Sequence, residues 1–212
     1  MKRIISVLIS ATMLLGLSAC APSGDDTPES APQTTGTSKV SDTSEDTPST
    51  ETEGEGSDRI LVCYFSATGN TEGVAQKIAS VSGGELYEIV PAEEYTSADL
   101  EYNDPDSRAT AEQDDPSVRP EIASPDLSLE GVTTIYLGYP IWWGEEPRIM
   151  DTFVESYDFD GITVIPFCTS GSSGIETSSS NLEEVAGSGN WLEGRRFEAD
   201  VSEDEIADFI GV

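Results

Sequence analysis

The chain has 212 residues, with 41 acidic and 10 basic side chains and a net charge of −31. That length suits one sizeable domain with appendages, and the charge argues against nucleic-acid binding, which depends on neutralising phosphates. The sequence contains no His, which excludes a Ser-His-Asp triad, a His-ligated metal site and a His general base.

The first twenty residues are typical of an export signal. Lys2 and Arg3 form a charged start, a mostly apolar stretch follows, and Leu17–Cys20 is similar to the cleavage box of bacterial lipoproteins. An uncleaved anchor and a plain signal peptide are the alternatives, although the apolar run is short for a membrane span. We therefore expect Cys20 to carry a lipid that holds the chain on the outer face of the bacterial cytoplasmic membrane.

Residues 21–58 have a different composition. They are rich in Ser, Thr, Pro, Gly and acids, with ten acidic side chains against one base, Lys39. So few apolar residues cannot offset the entropy lost on ordering, and the like charges repel one another. The segment is predicted to be a disordered acidic tether, which leaves residues 59–212 as the folded domain.

The domain opens on an apolar strand, Ile60–Phe65, followed by the small polar loop Ser66–Thr71 and a helix over about 71–81. Loop amides and the first N–H groups of a helix lack backbone partners, so such a junction binds phosphate. Because the loop has no Lys or Arg, it suits a phosphomonoester better than a nucleoside triphosphate. An ordinary turn capped by Ser, Thr and Asn is the alternative.

Strands and helices alternate in the rest of the domain, which predicts a parallel, doubly wound α/β sheet. The polar segment 91–128 is predicted to be a partly ordered excursion near the ligand or a partner surface. Further strands are expected at Glu85–Val90, Val132–Leu137, Ile162–Phe167 and, briefly, near 196–199, with helices at about 147–157 and 177–186 and a last one that begins with a capping box at Ser202.

Three segments in this order resemble loops of the flavodoxin-like family. Ser66–Thr71 (Ser-Ala-Thr-Gly-Asn-Thr) resembles its phosphate loop, Gly138–Gly144 (Gly-Tyr-Pro-Ile-Trp-Trp-Gly) one of its flavin-ring loops, and Thr169–Gly174 its second flavin loop. The resemblance extends from Arg59 to about Arg196. It implies a five-stranded parallel sheet in the order 2-1-3-4-5, with helices on both faces and FMN held noncovalently at the carboxyl ends of the strands.

The resemblance also implies a set of FMN-binding residues. The first loop is expected to hold the phosphate, Trp142 or Trp143 to stack on the ring, and the third loop to border the other side of the ring. Core or interface packing is the alternative for the two Trp residues. The full set is Ser66, Ala67, Thr68, Gly69, Asn70, Thr71, Tyr139, Pro140, Ile141, Trp142, Trp143, Gly144, Thr169, Ser170, Gly171, Ser172 and Gly174.

Two pairs of residues near these loops carry separate predictions. Cys63 and Cys168 lie in apolar strands and are interpreted as core thiols that are too far apart for a disulfide, because another strand lies between theirs. Glu145 and Glu146 follow the ring loop and are candidates to lower the flavin's reduction potential. Their alternative role is a solvated helix start, where acids suit the helix dipole.

The leading functional prediction is an electron-transfer flavoprotein tethered outside the cytoplasm. Its acidic surface suits redox partners with basic docking surfaces. An FMN-dependent NAD(P)H:quinone-type reductase is the second possibility, and a flavin-binding module without turnover is the third.

Overall fold

The computed structural model describes residues 58–212. The predicted signal peptide with Cys20, and the predicted tether up to residue 57, lie outside the described residues. Within 58–212, no helix is both long and apolar enough to cross a membrane.

The domain is built on one parallel sheet. Its strands are β1 Arg59–Tyr64, β2 Glu85–Glu88, β3 Val132–Pro140, β4 Thr163–Thr169, β5 Asn190–Trp191 and β6 Arg195–Phe197. The order is β2-β1-β3-β4-β5, and β6 also pairs with β4; every pair is parallel. The predicted order 2-1-3-4-5 is therefore confirmed.

Helices cover both faces of the sheet, as predicted. They are α1 Asn70–Ser82, α2 Arg108–Asp114, α3 Arg148–Glu155, α4 Glu176–Ala186 and α5 Glu203–Ile210. Helices α1 and α5 pack beside each other, as do α3 and α4. The expected capping box is present at the start of α5, where Ser202 and Glu205 each bond the other's backbone N–H.

The strand residues divide between two cores because successive side chains point to opposite faces. Leu61 and Cys63 of β1 pack on the face covered by α3, with Phe153 among its buried residues. Val62 and Tyr64 pack on the opposite face, which α1 and α5 cover. Burial on both faces explains why the central strands are almost continuously apolar.

The edge strand differs from the prediction of one short strand near 196–199. It begins earlier and is split, because Val164 pairs with Trp191 whereas Phe167 pairs with Arg195, so the edge holds one extra residue. The Leu192 N–H donates to the Val164 carbonyl, 2.9 Å away, so the backbone N–H and C=O groups of even-numbered residues in β4 point towards the edge strand. Pro166 is one of them and has no N–H to offer, which breaks the ladder at this point.

The excursion between β2 and β3 is ordered. It contains α2, and an antiparallel bridge joins Pro91 to Ile122. The Ser124 side chain accepts from the Val90 N–H at 2.6 Å and donates to the Glu88 carbonyl at 2.7 Å. The segment is thereby fastened to the end of β2.

The two strand cysteines are buried free thiols, as interpreted from the sequence. Burial raises the pKa of Cys168 to about 12 and raises that of Cys63 further. Both thiols are thus kept protonated and unreactive at neutral pH.

The packing on the face of the sheet covered by α1 and α5 can be tested at Gly138 of β3. A Cβ added there overlaps the Phe167 ring, whereas a Cβ on Gly73 in α1 meets no atom within 4 Å. Gly138→Ala is expected to lower the free energy of unfolding by about 1–3 kcal/mol through overpacking. The control Gly73→Ala, in a helix interior, should raise it by about 0.5–1 kcal/mol. Urea unfolding of the full chain measures both, and equal stabilities would contradict this packing.

Candidate functional site

The loops that follow β1, β3 and β4 meet at one edge of the sheet and enclose a cleft of about 510 Å³. Parallel strands place their carboxyl ends at the same edge, so adjacent strands bring their following loops together. A fourth segment, formed by Arg196 of β6 and the residues that follow the strand, also lines the cleft. The lining residues are Thr68, Asn70, Pro140, Ile141, Trp142, Thr169, Ser170, Gly171, Arg196, Glu198, Ala199 and Asp200.

The first loop presents the start of α1 to this cleft. Gly69 is the N-cap residue, with a φ of +84°, and no side chain in the described range caps the helix. The Gly69 N–H donates to Ser66 Oγ at 3.1 Å, and Asn70 Nδ2 donates to Thr68 Oγ1 at 3.3 Å. The uncapped N–H groups of the first turn, with the positive end of the helix dipole, suit an anion.

A buried hydrogen bond fastens the first loop to the third. The hydroxyl oxygens of Thr71 and Thr169 lie 2.8 Å apart, and both side chains are buried. This contact holds the start of α1 against the end of β4. The Thr71 hydroxyl therefore positions the loops relative to each other.

The second loop is a tight turn at the end of β3. Trp142 and Glu145 exchange two backbone hydrogen bonds of 2.9 and 3.0 Å, and between them Trp143 and Gly144 have φ values of +49° and +92°. A positive φ is costly for a bulky residue such as Trp. The turn directs the two Trp side chains to different places.

Trp142 lines the cleft, whereas Trp143 does not. The Trp142 ring packs edge-on against Phe65 and Tyr95, with centroids 5.7 and 5.1 Å away. The Trp143 ring stacks on Tyr102 of the excursion, with centroids 4.8 Å apart and planes at 21°. The sequence alone left open which Trp faces the ligand, and the turn geometry favours Trp142.

The third loop is held by Arg196 from β6. Its Nε donates to Ser170 O and Oγ at 3.1 and 3.0 Å, and its Nη2 donates to Ser170 O and Gly171 O at 2.8 and 3.1 Å. Ser170 Oγ also bonds the Ser173 carbonyl within the loop. These contacts fix the backbone of the third loop, which lines the cleft together with Trp142.

The structure brings part of the predicted residue set to the cleft. Eight of its members line the cleft: Thr68, Asn70, Pro140, Ile141, Trp142, Thr169, Ser170 and Gly171. Ser66 and Ala67 line a second pocket of about 170 Å³, which Phe65 and Tyr95 also line.

The remaining predicted residues have other surroundings. Tyr139 lies in the core, its hydroxyl 3.2 Å from Ser178 Oγ. Gly69 is the N-cap residue of α1, Thr71 bonds Thr169, and Trp143 stacks on Tyr102. The last three predicted residues, Gly144, Ser172 and Gly174, belong to the second and third loops but do not line the cleft.

Sequence reasoning missed the segment after β6. Arg196, Glu198, Ala199 and Asp200 line the cleft but belong to no motif that resembles a known loop. Their position at the carboxyl end of an edge strand was the available signal, because every strand of a parallel sheet ends at that edge.

A polar cluster supports the second loop from the α3 side. Arg148 donates to Glu145 at 2.6 Å and to Glu146 at 3.2 Å, and lies 3.6 Å from Asp151. Glu146 is only 1% exposed, so the alternative of a solvated helix start is wrong for this residue. Asn181 also donates to both Glu146 oxygens at 3.3 Å.

Burial raises the pKa of Glu146 to about 7, and the nearby Asp151 adds to the rise. The hydrogen bonds from Asn181 and the charge of Arg148 oppose it.

Across residues 58–212, no group of three or more His, Cys, Asp or Glu is placed to hold a metal ion.

The comparisons with known proteins agree on one family. A model of the flavodoxin family matches residues 59–212. A candidate flavoprotein from Bacteroides uniformis ATCC 8492 is 44% identical with a TM-score of 0.70, and the match covers 73% of this chain and 99% of that one. A candidate flavoprotein from Bacteroides eggerthii DSM 20697 is 43% identical with a TM-score of 0.68, and that match covers 74% and 99%.

A third structure is similar in fold alone. The flavoprotein of Lactobacillus acidophilus NCFM, solved in complex with FMN, is 24% identical with a TM-score of 0.58, and the match covers 74% of this chain and all (100%) of that one. No protein with a curated function matches the chain.

The raised pKa of Glu146 predicts a pH dependence of stability. The unfolded carboxyl titrates near 4.5, so stability falls as pH rises from there through about 7, where the buried group must ionise. Glu146→Gln removes this titration. The unfolding free energy of the wild type minus that of the variant should therefore fall by roughly 1–3 kcal/mol between pH 5 and pH 8.

Glu184→Gln is the matched control, since Glu184 is an exposed carboxylate that lines the same surface pocket as Glu146 and Arg148. Its difference from the wild type should change less over that pH range. A difference in unfolding free energy between the wild type and Glu146→Gln that stays constant from pH 5 to pH 8 would show that the fold does not raise the pKa of Glu146.

Proposed function

The chain belongs to the flavodoxin family, and we propose that its cleft binds FMN for electron transfer. The observation that carries the proposal is the meeting of three loops, after β1, β3 and β4, around one cleft. Each of these loops independently resembles an FMN-contacting loop of the family. They are far apart in sequence, and the strand order of the sheet brings all three to one place, where a single ligand can contact them.

The residues present fit the phosphate of FMN. The start of α1 is not capped by a side chain of the described domain, and Thr68 and Asn70 face the cleft. This donor set is neutral, which suits the modest charge of a phosphomonoester held by amides and hydroxyls. A cleft of about 510 Å³ also falls within the usual range of roughly 300–1,000 Å³ for cofactor pockets.

The residues further along the cleft fit a flat aromatic ring. Trp142, fixed by Phe65 and Tyr95, lines the cleft together with Thr169–Gly171, a segment whose backbone N–H groups can donate hydrogen bonds. When bound, FMN supplies the redox chemistry, because it accepts and passes on electrons that no side chain of this chain can carry. The protein's part is to hold the ring, shield one face and set the charge around it.

Electron transfer between proteins is favoured by the charge of the domain. Residues 59–212 contain 31 acidic and seven basic side chains. Such a surface attracts basic partners and speeds their encounter. We infer that the partners are redox proteins with basic docking surfaces.

The location outside the cytoplasm rests on the sequence of residues 1–57. A charged start, an apolar stretch and the Leu-Ser-Ala-Cys box support lipidation at Cys20, and the acidic tether then spaces the domain from the membrane. We propose a lipid-anchored electron carrier on the outer face of the bacterial cytoplasmic membrane.

The second candidate function is an FMN-dependent NAD(P)H:quinone-type reductase, which the open cleft beside Trp142 allows. The acidic surface of the domain as a whole disfavours docking of an anionic dinucleotide. Fast reduction of the bound flavin by NADH or NADPH in a stopped-flow measurement would favour the reductase. A flavin that stays bound but exchanges no electrons with any partner would favour the third candidate, a binding module.

The position of Trp142 predicts unequal effects for the two neighbouring Trp residues. Trp142→Ala removes a ring from the cleft wall and should weaken FMN binding about tenfold or more, because aromatic contacts add to the area buried. Trp143→Ala removes a ring that stacks on Tyr102 and should change the Kd less than threefold. Titration of each full-length variant with FMN, followed by flavin absorbance, measures both Kd values. The reverse ranking would contradict the assignment of the cleft wall.

A further inference from the structure

Arg196 occupies a position in the cleft that none of the family-like loops accounts for. It lies on β6 opposite Cys168 of β4, and its guanidinium reaches forward onto Ser170 and Gly171. Its side chain is 27% exposed, and three of its five N–H groups, on Nε and Nη2, are committed to that loop or to Glu198. The group is therefore fixed in place beside the cleft.

The neighbouring Arg195 points elsewhere, because successive residues of a strand face opposite sides. Its guanidinium lies 5.3 Å from the centre of the Phe197 ring, and its Nη1 bonds the Glu205 carbonyl at 3.4 Å. Arg195 does not line the cleft. The two residues thus carry the same charge on the same strand, but only one of them faces the site.

Arg196 is the one basic residue among the lining residues found in the described domain. Two acids, Glu198 and Asp200, also line the cleft, and Glu198 lies 3.4 Å from Arg196 Nη2. The Glu198 side chain is 71% exposed, so water and salt screen its charge more than that of the largely buried guanidinium. Asp200 is exposed as well, so Arg196 carries the least screened of the three charges on this wall.

We propose that Arg196 is a positioning residue that also sets the reduction potential of bound FMN, an inference that rests on the proposed function. Reduction by two electrons with uptake of one proton leaves one negative charge on the flavin ring. A fixed cation at the wall stabilises that anion more than the neutral oxidised ring. Arg196 thereby binds the reduced cofactor more tightly and raises its potential.

The test compares variants of the full-length chain, loaded with FMN and reduced stepwise with dithionite. Arg196→Gln removes the charge and should weaken binding of reduced FMN about tenfold more than binding of oxidised FMN. For a two-electron couple, that ratio corresponds to a fall in midpoint potential of about 30 mV. Arg196→Lys keeps the charge but loses the planar fork, so it should loosen binding of both forms with a smaller change in potential.

Two further variants separate charge from structure. Arg195→Gln removes the same charge on the side away from the cleft and should leave the potential within a few millivolts of the wild type. Glu198→Gln removes the acid paired with Arg196 and should shift the potential upward. A merely structural role for Arg196 does not predict opposite signs for Arg196→Gln and Glu198→Gln.

An Arg196→Gln potential equal to that of Arg195→Gln would overturn the inference while leaving FMN binding intact. If Arg196→Gln does not fold, Arg196→Lys decides, and a fall in its potential of about 30 mV or more, although the positive charge is kept, overturns the inference. A wild-type chain that binds no FMN would overturn the proposed function and this inference with it.

Discussion

The site depends on the parallel pairing of β1, β3 and β4. In this arrangement Tyr64 lies opposite Gly138, and Gly138 lies opposite Phe167, so the three strands end at nearly the same level. The loops that follow have to meet above that level, and the Thr71–Thr169 hydrogen bond fixes two of them to each other. A change in strand order would separate the loops and remove the cleft.

Much of the fold could be predicted because buried strands consist mainly of apolar residues. Ile60–Phe65 is apolar throughout because both faces of β1 are covered, and the shift to Ser, Thr, Gly and Asn marks where the strand leaves the core. The start of α5 could also be predicted, since a capping box needs only Ser202 and Glu205 at the right spacing. These signals are local and do not depend on distant contacts.

The features that could not be predicted depend on contacts between distant segments. The split of the edge strand follows from Pro166 on the neighbouring strand, and the sequence of residues 190–197 alone does not predict it. The opposite placement of Trp142 and Trp143 follows from positive φ values in the turn. Glu146 is buried because Arg148 and Asn181 converge on it, although Glu-Glu before a helix is typical of a solvated start.

Charge links the cleft to the proposed function. The domain is acidic overall, and its basic side chains are few, so each cation near the cleft has a large local effect. Arg148 draws Glu145 and Glu146 towards α3, whereas Arg196 fixes the wall of the cleft. The long-range field then suits basic protein partners, while the local field at the cleft suits an anionic cofactor.

We propose that the cleft holds FMN through a phosphate at the start of α1. The most direct measurement is the Kd of the full-length chain for FMN compared with riboflavin, which has the same ring and no phosphate. FMN is expected to bind at least tenfold more tightly than riboflavin, because riboflavin leaves the amides of the first loop without an anion. Equal affinities for the two flavins would contradict it.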